Sequence, residues 1–127
     1  MKIVVAEDEF LIADMLVMSL QDAGHEVHDA AHGAAALVLI REHLPDLVIT
    51  DFMMPRMTGL ELAEAIRGDE ALCAVPILLV SGAQGAIARG RADLFDLVFD
   101  KPYDLGRLLK AVEQLGSRPR SSQVTTG

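Results

Sequence analysis

Five side chains of this 127-residue chain stand at the ends of short apolar runs and share one chemistry. Glu7 and Asp8 follow IVVA (3–6), and Asp51 follows LVIT (47–50). Ser81 follows VPILLV (75–80), and Lys101 with Pro102 comes just after LVF (97–99). Carboxylates brought together raise one another's pKa unless a cation compensates them. Mg²⁺ does this with about six oxygen ligands, commonly one or two carboxylates, several waters and a phosphate. Lysine is a compact charge that suits a phosphoryl oxygen, and a serine hydroxyl can donate to a second one. An aspartate beside such an ion can attack phosphorus and form an acyl phosphate. Taken singly, these residues read as solvated loop charges, helix caps or turn serines. Taken together, they read as a site that phosphorylates a carboxylate.

The elements that position them follow from the hydrophobic pattern. The four runs are continuously apolar rather than alternating, which suits strands buried on both faces of a parallel sheet. EVHDA (26–30) is mixed and fits an edge strand or no strand. Helices are expected over 9–23, ended by Gly24, and over 34–43, stopping before Pro45. A third covers 59–67, closed by Arg67 and Gly68. A fourth, over 84–93, is weakened by Gly85 and Gly90. The fifth covers 104–115, with Asp104 as N-cap and a stripe of Leu105, Leu108, Leu109, Val112 and Leu115. A strand and helix repeated five times implies a right-handed, doubly wound parallel α/β sheet. In such sheets ligands bind outside the carboxyl ends of the strands, where the five residues stand. The reading is one domain, residues 1–116, with 117–127 (SRPRSSQVTTG) as a flexible polar tail.

Composition narrows the function classes. The chain carries 19 acidic and 11 basic side chains, a net charge of −8, which argues against nucleic-acid binding. FLIADMLVMSL is broken by Asp14 and falls short of the roughly 18 residues of a membrane span. Two acids, Glu7 and Asp8, come too early for a secretory signal, so none is expected, and the single cysteine, Cys73, fits a reducing cytoplasm as an inert loop thiol. His25, His28 and His32 fall on a turn, a strand and a helix start, so they read as diverging surface residues rather than a metal site. Met53, Met54 and Met57 read as loop packing. Arg89 and Arg91 are too small a basic spot to hold nucleic acid. The first helix is apolar on more than one face, which tight packing or a partner would explain.

At these residues the chain resembles the response-regulator receiver domain. The resemblance lies in IVVAEDEF, DLVITDFMMPRMTGLEL, ILLVSG and VFDKPYD, and runs from about residue 2 to 116. It implies a flavodoxin-like five-stranded sheet of order 2-1-3-4-5 with five flanking helices, in a stand-alone receiver. It implies Asp51 as phosphoacceptor, Asp8 and Asp51 as direct ligands of Mg²⁺ (or Mn²⁺), and Glu7 binding through water. The Met53 backbone carbonyl would add an oxygen, Ser81 and Lys101 would contact the phosphoryl group, and the bond before Pro102 would be cis. The donor would be a histidine kinase or a histidine phosphotransfer protein, and output would pass to an unknown downstream protein. Two features depart from the family pattern. Val98 stands where the family usually carries an aromatic switch residue, and the segment between Ser81 and Lys101 is slightly short and glycine-rich, so a variant output is expected. Met53 and Ala83 flank the path of an attacking water without a group to orient it, so slow self-dephosphorylation is expected.

Competing readings are weaker. An aspartate-nucleophile phosphatase commonly needs a second acid two residues after the nucleophile, where this chain has Met53. A nucleotide or flavin site would want glycine or hydroxyl residues after the first strand, where this chain has acids. A receiver-like module that binds partners without being phosphorylated stays open through Val98.

Overall fold

The structure, a computed structural model, describes residues 1–82 and 84–116. The expected tail, 117–127, and Ala83 lie outside the described residues. The strands are β1 (Lys2–Ala6), β2 (Glu26–Ala30), β3 (Leu47–Asp51), β4 (Ile77–Ser81) and β5 (Leu97–Asp100). The helices are α1 (Phe10–Asp22), α2 (Gly33–His43), α3 (Gly59–Arg67), α4 (Gly85–Arg89) and α5 (Leu105–Gly116). All strands pair in parallel in the order β2-β1-β3-β4-β5, as the resemblance implied.

Burial on both faces accounts for the continuous apolar runs of β1, β3 and β4, whereas the LVF run fails that expectation: β5 lies at the sheet edge and its residues are exposed or only half-buried. Val4, Val48, Ile77 and Leu79 join Leu37 and Ile40 of α2 and Leu62 and Ile66 of α3 in one core. Their strand neighbours Ile3, Val5, Ile49, Leu78 and Val80 join Leu16 and Leu20 of α1 and Leu108 and Val112 of α5 in the other. Burying one such side chain contributes about 1.5–3 kcal/mol relative to exposure. EVHDA forms the β2 edge, and only Ala30 in it is fully buried.

Helix ends follow local chemistry. Gly24 takes φ +95° beyond α1, a left-handed conformation that costs glycine little. Thr58 and Glu61 form a reciprocal capping box at the start of α3, at 3.2 and 2.9 Å. Asp104 accepts from the Arg107 N–H at 3.2 Å before α5.

Three expectations need correction. β4 begins at Ile77 rather than Val75, because Pro76 has no N–H for the ladder; its carbonyl accepts from Val48 N–H at 3.0 Å. Asp51 and Ser81 close their strands rather than follow them. α4 is five residues long, not ten, and stops at Gly90, after which the Leu94 and Phe95 N–H groups turn back onto the Arg91 carbonyl.

Candidate functional site

The parallel sheet delivers Glu7, Asp8, Asp51, Ser81 and Lys101 to one edge, at the carboxyl ends of β1, β3, β4 and β5. One carboxylate oxygen from each of Glu7, Asp8 and Asp51 lies within 4.8 Å of the others. Glu7 and Asp51 are buried at 6% and 7% exposure, whereas Asp8 faces solvent. Two deeply placed acids and one open acid leave an approach from outside.

Every oxygen of the two buried acids has a donor. Asp51 Oδ1 accepts from the Phe52 N–H at 2.8 Å, and Glu7 Oε2 accepts from the Glu9 N–H at 3.1 Å. Lys101 Nζ donates to Glu7 Oε1 and Asp51 Oδ2, both at 3.2 Å. The lysine thus bridges the two buried carboxylates. Burial and the charge of Asp51 push the Glu7 carboxyl up to about 7, although the Glu9 N–H and Lys101 pull the other way. Burial works against the Lys101 charge, but Asp51 and Glu7 outweigh it and raise its pKa. Burial and the Glu7 charge also raise the half-buried Tyr103 phenol nearby.

Ser81 is fully buried, and its Oγ accepts the Gln84 N–H at 3.1 Å. That contact uses the hydroxyl oxygen as acceptor and leaves its proton available to donate. Gly59 lets the start of α3 pass beside the Asp51 carbonyl, where a Cβ would collide with backbone, and its N–H holds the Phe52 carbonyl at 2.7 Å. The bond between Lys101 and Pro102 is cis. The Met53 side chain is exposed in the loop after β3, while Met54 is buried and Met57 partly so.

The donor set fits a hard divalent cation, since three carboxylates converge and the Lys101 bridge supplies a single balancing charge. Val98 sits half-buried in β5, packed on the core shared with α2 and α3 and paired in register with Leu79. On the outer side, Arg89 of α4 grips Asp100 at 2.9 and 3.2 Å and reaches the Val98 carbonyl at 3.4 Å. Arg91 pairs with Asp93 and Glu64, so this basic spot is largely balanced.

Sequence reasoning missed the backbone donors of Phe52 and Glu9, which no residue type signals. It also missed the Arg89–Asp100 clamp. Arginine and aspartate at those positions were visible, but their pairing depends on how short α4 is. Among the histidines, His25 meets the N-terminal amine at 3.1 Å and Glu113 at 2.9 Å. His32 caps α2 by accepting the Ala35 N–H at 3.2 Å.

Comparisons with known proteins bear on the family and the fold. The model of the response regulator receiver domain matches residues 3–113. The chain is 31% identical over 127 residues to the phosphate regulon transcriptional regulatory protein PhoB of Rhizobium meliloti, covering 98% of this chain and 56% of that protein. It is 32% identical to the chemotaxis response regulator CheY4 of Vibrio cholerae, with a TM-score of 0.81 over 90% of this chain and 97% of that one. The Francisella response regulator 1452 receiver domain superposes with a TM-score of 0.84 at 26% identity, over 92% of this chain and 97% of that one. The chain spans about half the length of the curated relatives it matches. Among the described residues, no helix is long and apolar enough to cross a membrane.

Proposed function

Because the chain belongs to the response regulator receiver domain family of two-component systems, we propose that Asp51 accepts a phosphoryl group from a phosphohistidine donor. The observation that carries this is the cluster of Glu7, Asp8 and Asp51 within 4.8 Å, with Lys101 bridging two of them. Glu7, Asp8, Asp51 and the Met53 carbonyl would hold Mg²⁺ or Mn²⁺. Bound there, the ion supplies charge neutralisation for the carboxylates and for the oxygens of the incoming phosphoryl group.

The chain's own groups do the rest. Phe52 N–H fixes Asp51 Oδ1 and so orients Oδ2, the oxygen that Lys101 contacts. An Asp51 oxygen attacks phosphorus, the P–N bond to the donor histidine breaks, and its electron pair returns to the imidazole. Lys101 moves from the carboxylates to a phosphoryl oxygen, and the Ser81 hydroxyl donates to another. The domain thus promotes its own phosphorylation and dephosphorylation and turns over no separate substrate.

Exposed Phe10, Leu11, Met15 and Met18 line α1, beside a cleft of about 400 Å³ bounded by Ile12, Met15, Lys101 and Tyr103. This apolar face next to Lys101 is where a histidine kinase or phosphotransfer protein would dock. Output would travel through the α4–β5 edge to an unidentified protein. Val98 and the Arg89–Asp100 clamp also favour a second reading, in which this edge binds its partner whether or not Asp51 is modified.

Phosphotransfer from a panel of purified, phosphorylated histidine kinases tests the proposal. At least one donor should label the peptide containing Asp51, and chelation of divalent ions should stop the transfer. Label on another residue would overturn the assignment. Decay of that label should be slow, and Met53→Asn should accelerate it; equal decay would remove the lifetime argument.

A further inference from the structure

Away from the acid pocket, toward the amino-terminal end of the sheet, one carboxylate and two imidazoles meet across the gap between β2 and α2. Glu26 and His28 stand two residues apart on the edge strand and so share its face. His43 is the last residue of α2, which packs on that same face. One donor atom from each of Glu26, His28 and His43 lies within 4.8 Å of the other two. The imidazoles of His28 and His43 stack with centroids 3.8 Å apart and planes 12° from parallel. His28 Nε2 contacts Glu26 Oε2 at 2.8 Å, and Glu42 brings a second carboxylate oxygen 3.8 Å from His43 Nε2. Both imidazoles are roughly three-quarters buried, at 29% and 28% side-chain exposure, with one edge of each open to solvent.

We propose that Glu26, His28 and His43 form a second divalent-cation site, selective for a borderline ion such as Zn²⁺ rather than Mg²⁺. Two imidazoles and a carboxylate suit Zn²⁺, with nitrogen and oxygen ligands at about 2.0–2.2 Å and a fourth position for water or Glu42. The oxygen-only cluster at Asp51 suits a hard ion, so the two groups sort cations by donor chemistry. The donors are already gathered, and side-chain rotation alone closes them. The lone pairs lie in the ring planes, so the stacked rings must fan apart to share an ion, a turn about their outer torsions. The partial negative charge at the carboxyl end of α2 favours a cation at His43. Lys2 Nζ donates to the His43 carbonyl at 3.1 Å, so this cation anchors the helix end while the ring nitrogens remain for the metal. An ion there would tie the edge strand β2 to α2.

The other histidines do not take part: His25 and His32 hold the N-terminus and the α2 cap. The inference is independent of the phosphorylation reading, since none of the three residues belongs to the acid pocket.

The test is Zn²⁺ binding to the full chain, measured by competition with a chromogenic chelator under excess Mg²⁺. One equivalent should bind, weakened more than about tenfold by His28→Gln or His43→Gln and unchanged by Asp51→Asn. Unchanged affinity in both histidine variants, loss of the site in Asp51→Asn, or absence of saturable binding would each overturn the proposal. If a histidine variant does not fold, the wild-type imidazole NMR signals decide: Zn²⁺ should shift those of His28 and His43 and leave His32 in place. A shift confined to other histidines would contradict the site.

Discussion

The ends of β3 and β4 and the edge formed by α4 and β5 belong to one sheet but are built differently. Every residue of β3 and β4 is buried, and Asp51 and Ser81 close strands covered on both faces. In β5 no residue is fully buried, and α4 is one short helix joined to β5 through buried Ala88 and the exposed Arg89–Asp100 pair. Residues with few buried contacts open locally at small free-energy cost, whereas core strands open only near the global limit. Fixed atoms at the strand ends suit the phosphotransfer proposed for them, and an edge with more than one accessible arrangement suits the output proposed for it.

The largest test of this contrast is on stability. Leu79→Ala in β4 should cost about 2–5 kcal/mol, while Ile87→Ala in α4, where the side chain is exposed, should stay within about 0.5 kcal/mol. Chemical denaturation measures both, and equal losses would erase the distinction. Lys101→Ala comes next. It removes the one side chain seen bridging Glu7 and Asp51, and it should slow phosphorylation from a small-molecule donor by about 100-fold, read from initial rates.

A smaller effect concerns pH in metal-free protein. Glu7 is held at about 7 in the folded chain against 4.5 for the free group, so the folded state binds this proton more tightly. The Glu7 contribution therefore favours folding at low pH, is lost as pH rises from about 4.5 to about 7, and is flat above. Thermal midpoints in EDTA should show this slope in wild type, and Glu7→Gln should flatten it; parallel profiles would refute it. The smallest effect is expected for Gly85→Ala. Its Cβ would meet Asp100 Oδ1 and Arg89 Nη1, the ends of exposed side chains that can swing away. A helix-propensity gain of about 1 kcal/mol offsets the loosened ion pair, so stability should change by less than about 0.5 kcal/mol. A loss of several kcal/mol would mean the edge is as tightly built as the pocket.

The same contrast governs what the sequence could reveal. Strands buried on both faces announce themselves as continuous apolar runs, so β1, β3 and β4 and the residues at their ends were legible. Pro76 shifted a boundary because hydropathy does not register a missing N–H. The short α4 was foreshadowed by Gly85 and Gly90, but its actual stop and the Arg89–Asp100 clamp depend on tertiary packing. His28 and His43 show the clearest gap. They are far apart in sequence, and only the docking of α2 on the β2 edge stacks their rings.

Asp51, buried between Glu7 and Lys101 beside the open Asp8, is the proposed phosphoacceptor. Intact-mass measurement after incubation with Mg²⁺ and acetyl phosphate tests it most directly, on wild type and Asp51→Asn side by side. One added phosphoryl group is expected on wild type, none with a chelator and none on the variant. The same gain on Asp51→Asn would contradict it.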